Sequence, residues 1–308
     1  MPLEIHQQGI FNGHKAAVYS LVGSALNPDI FWSADGNGNI VQWDFAQGNM
    51  GKLIARLPEQ IFSLSLYEQE QFLLAGGMNG GMYKIDLLQK QLAHDIITLP
   101  GTIYHSTEIG NKIGLCCKNG TFYVFDKNTL QKEFQIKVSD KALRRSVWLA
   151  SENMLAFACS DSQIYLLNWH NNSLVQKLAQ GHNDSVFDVC FLPHEQVILS
   201  GGKDAYLSIW KKNMDHSYEL SHRIPAHHFT INRIVSLAPL PYFATASRDK
   251  SIKLWQNETY QLEKVLNSEK NASMHRYSVN TLWWIPSKRI LLSAGDDGNI
   301  IAWNVLFH

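Results

Sequence analysis

The sequence has no surplus of either charge sign: its 308 residues carry 27 Lys+Arg and 27 Asp+Glu, a formal net charge of zero. Such a chain has no long-range field for a nucleic-acid backbone or an anionic membrane, both of which need clustered cations over a face. Charge is scarce altogether. At 18% charged against 45% hydrophobic residues, the balance argues against disorder and suits a large packed core. No apolar run approaches the roughly 18 residues that a membrane helix needs. The opening stretch MPLEIHQQGIFNGHK lacks the basic segment and apolar core of a secretory signal, so the expectation is a cytoplasmic protein without membrane partners. Cysteine is sparse as well. Cys116, Cys117, Cys159 and Cys190 fall in apolar, strand-like runs and read as reduced core residues.

What the chain does have is repetition. An apolar run, a Gly/Asn/Asp turn and a second run ending in an aromatic or aliphatic residue recur seven times. The copies are SADGNGNIVQW, AGGMNGGMYKI, LCCKNGTFYVF, FACSDSQIYLL, SGGKDAYLSIW, TASRDKSIKLW and SAGDDGNIIAW. They end at Trp43, Ile85, Phe125, Leu167, Trp210, Trp255 and Trp303, spaced by 42, 40, 42, 43, 45 and 48 residues. That period fits one four-stranded sheet per copy. Within each copy the runs alternate apolar and polar, while helical periodicity is nearly absent. An antiparallel assembly of that size removes its exposed edges by closing radially. The expected fold is therefore all-β: a seven-bladed β-propeller over residues 1–308, with four antiparallel strands per blade. The last copy ends on a third strand, and LEIHQQGIF precedes the first copy with no blade of its own. Residues 3–11 are expected to supply the outer strand of the seventh blade.

These features resemble the WD-repeat β-propeller family along essentially the whole chain. The family's Gly-His segment is similar to NGHKAAVYSL, QGHNDSVFDV, PAHHFTINRI and SMHRYSVNTL, and its Trp-Asp ending occurs literally at Trp43-Asp44. Blades two, three and four end instead in Ile85-Asp86, Phe125-Asp126 and Leu167-Asn168.

Ser200, Asp204 and the upstream His182 are the residue types of a serine hydrolase's catalytic set. Repetition decides against that use. The same set recurs as His182, Ser200, Asp204, Trp210, as His227, Thr245, Asp249, Trp255, and as His275, Ser293, Asp297, Trp303, with a first-blade version in His14, Ser33, Asn37 and Trp43. The resemblance implies that each tetrad is a hydrogen-bonded chain across a blade. A buried Trp N–H needs an acceptor and a buried carboxylate needs donors, so the reading is structural, with no catalytic residue. His216, His222, His227 and His228 crowd together in sequence, but His227 belongs to a tetrad and no Cys or carboxylate stands at ligand spacing. No metal and no cofactor is expected. GNGN in the first copy lies between strands with no helix behind it, and reads as a hairpin turn. Arg144-Arg145 in KALRRSV reads as a solvated charged pair, one member of which has a further use.

The resemblance also implies three positions per blade on the face that carries the turns. The fifth residue after the histidine slot is Tyr19, Phe62, Tyr104, Arg144, Phe187, Asn232 and Asn280. The third is Ala17, Gln60, Thr102, Ala142, Ser185, Thr230 and Ser278. Before the turn acid come Gly36, Met78, Lys118, Ser162, Lys203, Arg248 and Asp296. Aromatics, Met and Arg are the types enriched at interface centres. The expected function is a non-catalytic scaffold that binds a protein or peptide through Tyr19, Phe62, Tyr104, Arg144, Phe187, Asn232, Asn280, Met78, Lys118, Lys203 and Arg248. Its partner would carry apolar anchors with acidic or phosphorylated flanks. The alternative is a propeller enzyme or small-ligand binder at the central channel mouth, which needs convergent acids or histidines there. Nucleic-acid binding through Lys118, Lys203, Arg248 and Arg144 is a weaker alternative at zero net charge.

Overall fold

Alternating apolar residues and tight turns convert each copy of the repeat into a small twisted sheet. The computed structural model describes residues 3–67, 72–88, 91–92, 97–269 and 273–307. Blade five shows the pattern: Val186–Leu192 innermost, then Val197–Gly202, Tyr206–Lys212 and the outer Tyr218–Pro225, all antiparallel. Blades one, three, four and six repeat it, starting from Val18–Gly23, Ile103–Ile109, Leu143–Leu149 and Ile231–Ser236. In blade two, which starts at Ile61–Tyr67, two short segments at Gln91–Leu92 and Ile97–Thr98 edge the third strand Gly81–Asp86. Each innermost strand neighbours those of the blades before and after it, and Val279–Ile285 of blade seven neighbours Val18–Gly23 of blade one, so the ring closes. The core lies between blades as a chain of apolar clusters, with the Trp43, Trp210 and Trp303 side chains fully buried in it.

Closure uses the start of the chain. Leu3–Asn12 pairs antiparallel with Asn299–Phe307, from Leu3 opposite Phe307 to Asn12 opposite Asn299, and so forms the outer strand of blade seven. This strand also reaches blade one. Phe11 is buried and meets Phe31, Trp43 and Phe45 edge-on at 5.1, 5.7 and 5.3 Å between ring centres.

Three local features recur in all seven blades. The residue that ends the hairpin turn between the second and third strands has positive φ: Gly38, Gly80, Gly120 and Gly298, but also Ser162, Ala205 and Lys250. At Gly38 the requirement is steric too, since a Cβ would lie 2.1 Å from the Leu57 carbonyl oxygen. Second, a turn amide donates to a carbonyl near the start of the innermost strand. The pairs are Gly36 to Ala17, Met78 to Gln60, Lys118 to Thr102, Ser160 to Ala142, Lys203 to Ser185, Arg248 to Thr230 and Asp296 to Ser278. In blade four the residue before the turn acid is thus Ser160. Ser162, expected there, is the left-handed turn residue instead.

The third feature is a β-bulge. Pairing between the innermost and second strands slips by one residue in every blade, between Val18 and Ser20, Ile61 and Ser63, Ile103 and His105, Leu143 and Arg145, Val186 and Asp188, Ile231 and Arg233, and Val279 and Thr281. The residue left over is in turn Tyr19, Phe62, Tyr104, Arg144, Phe187, Asn232 and Asn280. A bulge re-aims the side chain of its extra residue and resets the alternation after it.

Removing residues 1–12 strips the seventh blade of its outer strand and the first blade of Phe11, whose loss alone costs about 3–5 kcal/mol for a buried Phe. The truncated chain should melt roughly 10 °C or more below the intact one, or aggregate. Unchanged melting curves would contradict closure by this strand.

Candidate functional site

Each complete tetrad is one unbroken relay of hydrogen bonds. In blade five the Trp210 indole N–H donates to Ser200 Oγ at 2.9 Å, Ser200 meets His182 Nε2 at 2.8 Å, and His182 Nδ1 lies 3.1 and 3.2 Å from the Asp204 carboxylate oxygens. Because Trp210 can only donate, the Ser200 hydroxyl proton is free to point at Nε2, which leaves the His182 proton on Nδ1 facing the acid. Blade six repeats the relay through Trp255, Thr245, His227 and Asp249 at 2.9, 2.8 and 2.9 Å. Blade seven repeats it through Trp303, Ser293, His275 and Asp297 at 2.9, 2.9 and 3.0 Å. Each acid also accepts from two backbone amides at the turn, those of Asn183 and Tyr206 in the case of Asp204. The Ser200, Thr245 and Ser293 hydroxyls are fully buried, so none can reach a substrate carbonyl.

Blade one changes one member. Trp43 donates to Ser33 Oγ at 2.7 Å and Ser33 meets His14 Nε2 at 2.6 Å, but His14 Nδ1 bonds Asp35 Oδ2 at 2.8 Å. The acid is Asp35 at the end of the second strand. Asn37, the expected member, is exposed and gives its own amide to Asp35 Oδ1 at 2.9 Å. Blades two, three and four replace the relay with a tyrosine at the ninth position of the repeat. Tyr83 donates to Glu59 at 2.7 Å, Tyr165 donates to Asp161 at 2.8 Å, and the Asn119 side-chain amide donates to the Tyr123 oxygen at 2.8 Å. The signal lies in MYKI, FYVF and IYLL. These three blades end in Ile85, Phe125 and Leu167, whose side chains have no N–H to satisfy.

The bulged residues converge on one end of the central channel. Tyr19, Phe62, Tyr104, Arg144, Phe187, Asn232 and Asn280 together line a mouth cavity of about 220 Å³, and all seven side chains are half-buried. Five form a continuous arc. Ring centres are 4.8 Å apart from Tyr19 to Phe62 and 5.9 Å from Phe62 to Tyr104, and the Arg144 guanidinium lies 4.4 Å from the Tyr104 ring and 4.8 Å from Phe187. Arg144 Nε also donates to Ser160 Oγ at 2.8 Å. The remaining two stitch blades together. Asn232 donates to Ser278 Oγ and the Val279 carbonyl at 3.0 and 2.9 Å, and Asn280 to Asp296 and the Val18 carbonyl at 2.7 and 3.2 Å. Around the mouth Met78, Lys118, Lys203 and Arg248 are exposed, with Lys203 paired to Asp184 at 3.0 Å.

Beneath the arc lies a second ring made by the residues that follow each bulge: Ser20, Ser63, His105, Arg145, Asp188, Arg233 and Thr281. Arg145 Nε bonds Asp188 at 2.9 Å and Arg233 Nη1 bonds it at 3.1 and 3.3 Å, so one carboxylate joins blades four, five and six. Asp188 is fully buried and accepts from the Val189 and Ile234 amides as well. Burial first, and then Arg145 and Arg233, push the His105 imidazole well below its ordinary pKa, so it is neutral at pH 7. Arg145 is therefore no solvated neighbour of Arg144. Of the crowded histidines, His227 is spent in its tetrad and His216, His222 and His228 are exposed. Among the described residues no three His, Cys, Asp or Glu side chains converge to hold a metal.

Comparison with known proteins agrees with the geometry. The family described as WD domain, G-beta repeat matches residues 172–211, 218–256 and 268–304, the segments that hold all three complete tetrads. The WD40 β-propeller domain of Doa1 superposes with a TM-score of 0.82 over 97% of this chain and 96% of its own, at 15% identity. The chain is a seven-bladed β-propeller whose last three blades match WD repeats. Its relatives among characterised proteins include the protein transport protein sec13 of Aspergillus oryzae, 26% identical over 57% of this chain and 66% of that protein. The nuclear distribution protein PAC1 of Candida albicans is 30% identical over 45% of this chain and 27% of its own length. The propeller thus spans just under two thirds of the sec13 proteins it matches, and less of PAC1.

The relay should be measurable in the propeller's stability. Asp204→Ala leaves buried donors unpaired and should cost about 1–3 kcal/mol, while Trp210→Ala opens a cavity and should cost about 3–5 kcal/mol, both read from urea unfolding. Equal, negligible losses would make the relay ornamental.

Acid should also weaken the fold. Burial alone would raise the carboxyls of Asp35, Asp204, Asp249 and Asp297, but hydrogen bonds from their histidines and from turn amides outweigh it and hold all four below the ordinary range. Burial pushes His227 down, against the pull of Asp249. A lowered carboxyl contributes stability that is present above about pH 4 and lost as pH falls through the folded value. A lowered imidazole makes the unfolded chain the better proton binder below about pH 6.5, so the two act in the same direction. The melting temperature should fall from about pH 6.5 downward and more steeply below about pH 4, and Asp249→Asn should flatten that slope. A melting temperature that rises on acidification would contradict the assignment.

Proposed function

We propose that this propeller is a non-catalytic scaffold that binds a protein or peptide on the face carrying the hairpin turns. The observation that carries the reading is the arc Tyr19–Phe62–Tyr104–Arg144–Phe187, half-buried and opening on the channel mouth. Rings held by their neighbours offer contact area that loses little freedom on binding, and Arg144 adds a planar cation between two of them. Exposed Met78, Lys118, Lys203 and Arg248 rim the arc, which favours a partner with apolar anchors and acidic or phosphorylated flanks. Similarity to the sec13 and PAC1 proteins supports a scaffold over an enzyme, and the sealed tetrad hydroxyls remove the obvious nucleophiles. Of the acids at the mouth, Asp296 is bound by Asn280 and Asp184 by Lys203. A cytoplasmic setting belongs to the same reading. Nucleic acid fits less well, because the net charge is zero and the rim cations are dispersed.

The two groups of residues should fail differently. Alanine at Tyr19 or Phe187 should weaken a partner isolated by affinity capture by about 2 kcal/mol or more, through faster dissociation. Lys203→Glu places an acid beside Asp184 and should mainly slow association and reduce its salt dependence. Surface plasmon resonance separates the two rates. Binding that survives alanine at Tyr19, Phe62, Tyr104 and Phe187 together would move the function to the blade rims or the opposite face.

A further inference from the structure

The second ring of the channel carries a charge that the protein itself leaves unbalanced. Arg145 and Arg233 share one carboxylate, Asp188, and keep 24% and 13% of their side-chain surface open while the Asp188 side chain keeps none. The cavity there measures about 250 Å³, room for several waters, and both arginines line it. Ser20, Ser63 and Thr281 bring hydroxyls to the same wall. The acid that lines this cavity, Glu108, is bound to Lys127, and His105 is neutral. Two guanidiniums against one carboxylate leave a net charge of one inside the channel.

Such a charge is costly away from bulk water unless an anion answers it. Burial first, and Arg233 next, draw the Arg145 guanidinium down to about 10 against the pull of Asp188. A guanidinium presents five N–H donors in a fork that matches tetrahedral oxyanions, and hydroxyls complete such a shell.

We infer that this second ring is a binding site for a phosphate group, reached through the aromatic mouth and held by Arg145 and Arg233 with hydroxyls from Ser20, Ser63 and Thr281. Asp188 then has two opposing effects. It fixes both guanidiniums in place from blade five, and it competes with the ligand for them. A free phosphate monoester and a phosphorylated side chain of the partner both carry the group, and the ring reads it alike in either. The inference deepens the partner reading, because the site opens on the same face, but it rests on different residues.

Inorganic phosphate is the first probe, titrated against the intact chain at constant ionic strength set with chloride. Phosphate should raise the melting temperature saturably where chloride does not. Arg233→Gln should weaken phosphate, followed by calorimetry, about tenfold to a hundredfold. Asp188→Asn should tighten it, by about tenfold, because the competing charge is gone while the side chain can still accept from a backbone amide. This opposite sign keeps the test decisive if Arg233→Gln does not fold. No phosphate effect beyond chloride, an effect unchanged in Arg233→Gln, or a weakened one in Asp188→Asn would overturn the site. Phenyl phosphate and a peptide carrying one phosphoserine distinguish the sources: the one that binds tighter names the ligand, and either supports the ring. If phosphate binds and no partner uses the mouth arc, the scaffold reading fails alone; if a partner binds the arc and phosphate has no effect, the ring fails alone.

Discussion

Everything at the centre of this molecule depends on one antiparallel pairing, Leu3–Asn12 against Asn299–Phe307. Without it blade seven would expose the backbone of Asn299–Phe307, and the innermost strand of blade one would lose the brace that Phe11 provides through Phe31 and Trp43. A sheet edge is tolerable in isolation. In a ring it is not, because seven innermost strands keep a common axis only when every neighbour is present. The mouth arc and the charged ring below it join residues from blade one to blade seven, so they exist as surfaces only in the closed ring.

Within the blades, two hydrogen-bond devices solve one problem with different parts. Where the third strand ends in Trp43, Trp210, Trp255 or Trp303, a buried indole N–H demands an acceptor, and a Ser or Thr ten residues earlier supplies it at 2.7–2.9 Å. That hydroxyl then needs a partner for its proton, and the histidine and acid follow from it. Where the strand ends in Ile85, Phe125 or Leu167, the demand never arises. The serine slot holds Ala75, Leu115 or Phe157, and a tyrosine reaches the turn from the strand instead. The two sets of residues exclude each other because a lone buried hydroxyl, or a lone indole, costs more than the pair gains.

Much of this is legible in the order of residues alone. Repeat spacing and alternation yield seven blades and the strand that closes them, and the resemblance to WD-repeat propellers implies the seven residues of the mouth. Two departures, the first-blade acid and Arg145, come from the local geometry of the turn and the bulge. Spacing alone puts the first-blade acid at Asn37, yet a carboxylate two residues earlier, at Asp35, reaches the same histidine nitrogen from the strand end. The expectation of Ser162 before the turn is a slip of register, since the spacing of the other copies gives Ser160, and the φ of 68° at Ser162 sets it in the left-handed position that four other blades give to glycine. Arg145 shows the largest effect. Simple alternation sends the residue after a channel-facing side chain into the space between blades, so it offers no reason to group Arg145, Asp188 and Arg233. The bulge at each innermost strand makes two successive residues face the channel. No residue type in these positions announces a bulge.

That same bulge couples the two rings. Phe187 and Asp188 are adjacent in sequence, as are Arg144 and Arg145, and Asn232 and Arg233, so a backbone shift that moves one member of the mouth moves its neighbour in the charged ring. The mouth supplies apolar contact and excludes water, which strengthens any charge interaction beneath it. The ring supplies a charge that no rim lysine can match, since Lys203 is already neutralised by Asp184 and lies in solvent. The proposed scaffold and phosphate readings together call for one ligand geometry: an apolar group seated between rings with an anionic group directed down the axis. A surface that presented only aromatic rings would bind many apolar segments alike. In the proposed reading, discrimination among them falls to the half-buried arginines, because a segment without an anion would cover that charge and leave it unanswered.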